Sequence, residues 1–229
     1  MRGHFRFDEA RPGVPLFSFA EIKYKKYELW YTLSVMLGTW KAHTGKGAKM
    51  RRTLNKTRFL AGKTDPENTS LWLPLWMHLW DTAGIMERLV RQWLPESVKR
   101  AMGFEREEAL LTHARFLGGI HDIGKATVAF QANILRTLPE ARQRLETLTP
   151  LDCPEQNRRE SPHARAGEAV LLWDDCPGGI ASIVGAHHGK PQSCVAVDDQ
   201  LEGWESNYYP KGQKKVWEDF WTELLMTVL

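Results

Sequence analysis

Apolar side chains return every three or four positions after residue 71: Leu75, Leu79, Ala83, Met86, Leu89, Val90 and Trp93 form one stripe. That is the period of a helix with one face in a core, so a helix is predicted from Leu71 onward. A second is predicted over about 105–121, with Leu110, Ala114, Leu117 and His121 on one side. Ser161 and Pro162 offer a cap followed by Pro at the first helical position, so a third should start near His163. Ile180, Ile183, Val184 and His187 continue a further helix that Gly189 and Pro191 would stop. An amphipathic helix over 216–229 closes the chain. Upstream, apolar residues at 22, 29, 30, 33, 36, 37 and 40 predict a helix within 21–40, preceded by an irregular lead-in over 1–20. Residues 62–70 are turn chemistry. Strand-type alternation is scarce. The expected fold is all-α, a compact bundle forming one domain over 1–229, with a loop region at about 41–70 and a motif-bearing core at 71–190.

Composition narrows this little. With 229 residues, 42% hydrophobic and 26% charged, the chain matches an ordinary globular protein and not a disordered one. The ten tryptophans suit packing first, and nucleic-acid or partner surfaces second. A formal charge of +3 identifies no partner, but its distribution is uneven. Lys41, Lys46, Lys49, Arg51, Arg52, Lys56 and Arg58 fall in one run without an acid. Such a run attracts phosphate backbones or is simply a solvated loop; Arg51, Arg52, Lys56 and Arg58 are the candidate nucleic-acid contacts. Cys153, Cys176 and Cys194 are odd in number and widely spaced, the usage of reduced thiols in a cytoplasmic protein. No stretch approaches 18 apolar residues, and no signal-peptide core opens the chain, so no membrane partner is expected. Leu229 is apolar and ends the last helix without a cap, so the native polypeptide is expected to continue, with this chain as its N-terminal portion.

The chemistry lies in five of eight histidines: His78, His121 next to Asp122, His163, and the adjacent pair His187 and His188. Imidazole and carboxylate hold divalent transition metals. Any one of these alone is more simply a core or surface histidine, but five of them around a His-Asp doublet are not, because buried unpaired imidazoles are costly. Asp122 has two oxygens and can touch two ions. Two ions about 3.5–4 Å apart stabilise the entering and leaving oxygens of an in-line displacement at phosphorus. Lys125 either orients a scissile phosphate or is an exposed lysine at a helix start. Asp122 and Lys125 are therefore the candidate catalytic residues. Gly119, Gly124 and Lys125 have the spacing of a nucleotide-binding phosphate loop, but Ala126 stands where a hydroxyl should bind magnesium and the segment follows a helix. It is not one. His4, His43 and His113 stand outside the pattern.

These residues resemble the HD phosphohydrolase superfamily. More closely, they are similar to the HD nuclease domain of the helicase-nuclease recruited by type I CRISPR surveillance complexes. The order His78, His121-Asp122 with Gly124-Lys125, His163, then His187-His188-Gly189 carries the resemblance, and the stretches 73–83 and 161–168 are like the type I-E branch. The resemblance implies an HD-domain bundle in which His78, His121 and Asp122 hold a first metal. It implies that Asp122, His163, His187 and His188 hold a second. It further implies nicking and degradation of single-stranded DNA supported by Mn, Fe, Co or Ni, with Mg and Zn less favoured. The implied partners are single-stranded DNA, the surveillance complex (Cascade) and a helicase region in the same or a partner chain.

One departure matters. The family places a further aspartate on the first metal, late in the domain. Asp198 and Asp199 come too soon after the His pair, and Asp219 lacks the expected neighbours. That ligand is expected beyond Leu229, and one tight ion rather than two. Two other readings stay open: an HD enzyme cleaving nucleotides or cyclic dinucleotides, and a catalytically silent docking module.

Overall fold

Leu75 begins the first long helix because the chain before it is already pinned. Its backbone N–H donates to Leu60 O at 2.8 Å, and Pro74, which has no N–H to lose, stands at the cap position. The computed structural model describes residues 56–65, 67–68, 70–153 and 159–228, all within one unit that spans 51–229. The predicted helix within 21–40, the lead-in and most of the basic run lie outside the described residues.

The described residues form nine α-helices: α1 (Leu75–Gln92), α2 (Glu96–Ala101), α3 (Glu107–Ile120), α4 (Val128–Ile134), α5 (Pro139–Glu146), α6 (His163–Trp173), α7 (Gly178–Gly185), α8 (Cys194–Gly203) and α9 (Lys214–Val228). A hairpin of β1 (Ala61–Thr64) and β2 (Trp72–Pro74) precedes them, antiparallel, with Lys63 opposite Leu73 and an irregularity between Ala61 and Lys63. The fold is thus an all-α bundle carrying one small hairpin. Residues 72–74, predicted to begin the first helix, are strand instead, because pairing with 61–64 satisfies their backbone before the helix starts.

Helices α1 and α3 form the first layer. Gly118 lies against Thr82 and Met86, while Leu110, Leu111 and Ala114 cluster with Val90, so the two run antiparallel. The start of α1 and the end of α3 therefore meet at one end of the pair. Helices α6 and α7 pack as a second pair, through Gly167 against Val184. The closing helix α9 buries Trp217, Phe220, Trp221 and Leu224. Each tryptophan also places its indole N–H: Trp217 Nε1 donates to Thr149 Oγ1 at 3.1 Å and Trp221 Nε1 to Ala126 O at 2.6 Å. No described helix is long and apolar enough to cross a membrane.

Candidate metal centre

Four helix ends converge on one carboxylate. His78 sits in the first turn of α1 and His163 is the first residue of α6. His121 follows the last residue of α3, and His187 and His188 follow α7. His121 and His187 use the same local device. The Nδ1 of His121 lies 2.7 Å from Gly118 O, and the Nδ1 of His187 lies 2.6 Å from Val184 O. A carbonyl only accepts, so each Nδ1 carries the proton and each Nε2 presents a lone pair. Histidines at helix C-termini thus cap the last carbonyls and are held in the tautomer a metal needs. Gly189, at φ 84°, stops the chain after the pair.

Asp122 is 4% exposed. Its Oδ2 receives His78 Nε2 at 2.7 Å, His121 Nε2 at 3.1 Å and Lys125 Nζ at 2.8 Å. Its Oδ1 faces His163 Nε2 and His187 Nε2, both at 3.3 Å. His188 Nε2 stands 2.8 Å from His163 Nε2. The ligand atoms fall into two groups, one of His78, His121 and Asp122 and the other of His163, His187 and His188. The carboxylate lies between them, one oxygen toward each. Asp122 Oδ1 and His187 Nε2 are buried without a hydrogen bond. Two orphaned buried acceptors facing each other are costly unless a cation lies between them. The donor set fits a divalent transition metal.

Charge agrees with geometry. Burial alone would push the Asp122 carboxyl upward, but the imidazoles of His121, His187 and His78 hold it well below the ordinary carboxylate range. Burial, against the pull of Asp122, pushes His163 down to about 4, so it is neutral at pH 7 with its lone pair available. His187 is raised: burial opposes this, but Asp122 and the bond to Val184 O outweigh it.

Gly124 makes the convergence possible. A Cβ there would meet His163 O at 2.0 Å and Gly167 N at 2.3 Å. Only glycine lets the loop after the His-Asp doublet press against the first turn of α6. Lys125 is not an exposed helix-start lysine. Its side chain is 13% exposed, within a one-turn 3-10 helix (Ile123–Lys125), and it also donates to Gly62 O at 3.1 Å.

All six metal-site candidates, with Lys125, are therefore brought together. Arg51 and Arg52 lie outside the described residues. Lys56 Nζ pairs with Asp219 Oδ2 at 2.9 Å, and Arg58 lies 4.6 Å from the centroid of the Phe59 ring. Asp219 also pairs with Lys215 at 3.2 Å, so it faces lysines rather than the histidines.

Two supports were missed from sequence. Gln131, fully buried, donates through Nε2 to Ala61 O and Lys125 O and accepts from Ala61 N. It clamps β1 to the loop bearing Lys125. An amide within the largely apolar run 128–135, which also holds Asn133, was the available signal. The second support lies at Ser161, which does not cap α6. Its Oγ donates to Gln200 Oε1 at 2.5 Å and accepts from Asn207 Nδ2 at 2.6 Å, while Tyr208 also donates to Gln200. This buried network fixes the chain two residues before His163, and Pro162 takes the cap position.

Comparison with known proteins gives the same picture. A solved structure described as "Crystal structure of CRISPR-associated protein" shares the fold, with TM-score 0.60 and 24% identity over 75% of this chain and 19% of its own. The CRISPR-associated nuclease/helicase Cas3 of Streptococcus thermophilus is 33% identical across 68% of this chain, which spans only 18% of that protein's length. The family model "Cas3, HD domain" matches residues 62–228, from the β1 strand through α9 and including every metal-site candidate. On that match the chain belongs to the Cas3 HD domain family.

Proposed function

We propose that this chain is a metal-dependent nuclease domain that cuts phosphodiester bonds in single-stranded DNA during type I CRISPR interference. The observation that carries this reading is the division of Asp122, whose Oδ2 faces His78 and His121 and whose Oδ1 faces His163 and His187. A nuclease/helicase name on the S. thermophilus relative supports the reaction class. The proposed working partners are a helicase region, in the same or another chain, and the surveillance complex Cascade, which would deliver the strand.

One or two divalent ions, Mn, Fe, Co or Ni, would supply Lewis acidity toward the entering and leaving oxygens. The residues do the rest. Asp122 stays ionised, and the Gly118 and Val184 carbonyls hold the Nδ1–H of His121 and His187 so that Nε2 of each faces it. His163 remains neutral at working pH. Lys125 brings an ammonium to the edge of the site, where it can face a phosphate oxygen. Nothing in this set reads a base, so sequence preference should be low.

Circular single-stranded DNA, nucleotides and cyclic dinucleotides, each offered with a series of metals, test the substrate class. Cleavage of the DNA alone is expected. Preferred hydrolysis of the small substrates would replace this reading with a nucleotide-type HD enzyme. Asp122→Ala should lower DNA cleavage by about a thousandfold or more while the far-ultraviolet spectrum is retained. Unaltered cleavage in that variant would mean that the constellation is not the active centre, and no cleavage by the wild type with any metal would leave the silent docking module.

A further inference from the structure

Asp122 does not offer its oxygens on equal terms. Oδ1 is buried and unbonded, with His163 and His187 at 3.3 Å. Oδ2 already carries a cation: the Lys125 ammonium lies 2.8 Å away, on the same oxygen that His78 and His121 approach. A divalent ion seated by His78 and His121 must share that oxygen with an ammonium. Two like charges a few ångströms apart, screened only by a buried site, repel strongly.

We propose that Lys125 is a built-in counterion of the His78, His121 and Asp122 group and sets an order of loading. The first ion seats on His163, His187, His188 and Oδ1. The second seats only as the ammonium leaves Oδ2. This rests on the metal-centre reading above and adds to it the residue that makes the two sites unequal.

Lys125 has somewhere to go. Gly62 O is 3.1 Å from Nζ, and the Phe130 ring centroid is 5.7 Å away, within cation–π range. Gly62 belongs to a strand that Gln131 pins through the Ala61 peptide, so this acceptor is fixed. Displaced toward Gly62, the ammonium remains beside the site. A substrate phosphate that draws it there also frees Oδ2 for the second ion. Binding of phosphate and of the second ion then favour each other, and by linkage the effect is mutual.

The test is a titration of the metal-free chain with Mn(II), followed by calorimetry and by native mass spectrometry. The wild type should take one ion tightly and a second weakly. Lys125→Met and Lys125→Gln should each strengthen the second ion by about tenfold or more and leave the first within about twofold. The glutamine keeps a donor for Gly62 O, which guards against a variant that merely fails to fold. Lys125→Arg keeps the charge and should bring no gain. His188→Ala should remove the tight ion and not the weak one. Unchanged second-ion affinity in both neutral variants, with the fold intact by circular dichroism, overturns the proposal, as does loss of the weak ion in His188→Ala. No Mn(II) binding by the wild type would instead take down the metal centre itself, and this proposal with it.

Discussion

Gly124 is the residue whose role is most local and most consequential. Its missing Cβ is the space in which the His163 carbonyl sits, at 2.0 Å from where that carbon would be. Backbone cannot yield as a flexible side chain does, so Gly124→Ala must push α6 away from Asp122. We expect a loss of about 2–3 kcal/mol or more in urea unfolding, together with weakened binding of the ion on His163. The cysteines make a second test of burial. Burial, with help from Asp174, pushes the Cys176 thiol up to about 11, Cys153 is buried, and Cys194 is exposed. A raised value means less thiolate at pH 8, and the thiolate is the nucleophile. Iodoacetamide should therefore label Cys194 first, with Cys176 and Cys153 following only as the chain unfolds, read by peptide mass spectrometry.

Among the elements, the hairpin and the short helices carry supports that periodicity could not predict. The strands β1 and β2 have four and three residues, too few to alternate; they pair with each other, and Gln131 holds the Ala61 N–H and carbonyl. Gln131→Leu would leave the buried Ala61 peptide without partners on both sides. A cost of about 2–4 kcal/mol is expected, since each orphaned group loses its water and gains nothing. Amide exchange at Ala61 should rise well beyond that of α1. If Ala61 stays as protected as in the wild type, Gln131 is not the clamp. Helices α2 and α4 span six and seven residues, under two turns, so no stripe could announce them. The long helices were legible because each buries a repeating face: Leu75, Leu79, Ala83 and Val90 on α1, and Leu110, Leu111 and Ala114 on α3.

At the scale of the molecule, the two helix pairs meet through the site. His78 and His121 come from one pair, and His163, His187 and His188 from the other. An ion held by these residues would join both halves and bind the folded state alone. Mn(II) at about a hundredfold above its dissociation constant should stabilise the fold by about 2.7 kcal/mol, raising Tm by about 5–10 °C. A chelator should reverse this. A Tm indifferent to both treatments would mean that no ion bridges the pairs. The closing helix belongs to the same unit, because Trp221 on α9 donates to the carbonyl of Ala126, next to Lys125. Trp221→Phe should therefore loosen the site loop as well as the core.

The linear chain was enough to establish the helical class and to single out the six side chains that the fold gathers at one place. Helix periodicity and imidazole chemistry are local properties, written into neighbouring residues. The family match over 62–228 extends that reading along most of the chain. What packing alone decided is how Asp122 divides its oxygens, that Lys125 occupies one of them, and that a hairpin and a glycine hold these groups in place. His78 and Asp122 stand 44 positions apart, and no local rule says which oxygen faces which ring. That depends on how four helix ends pack against one another, a property of the folded whole.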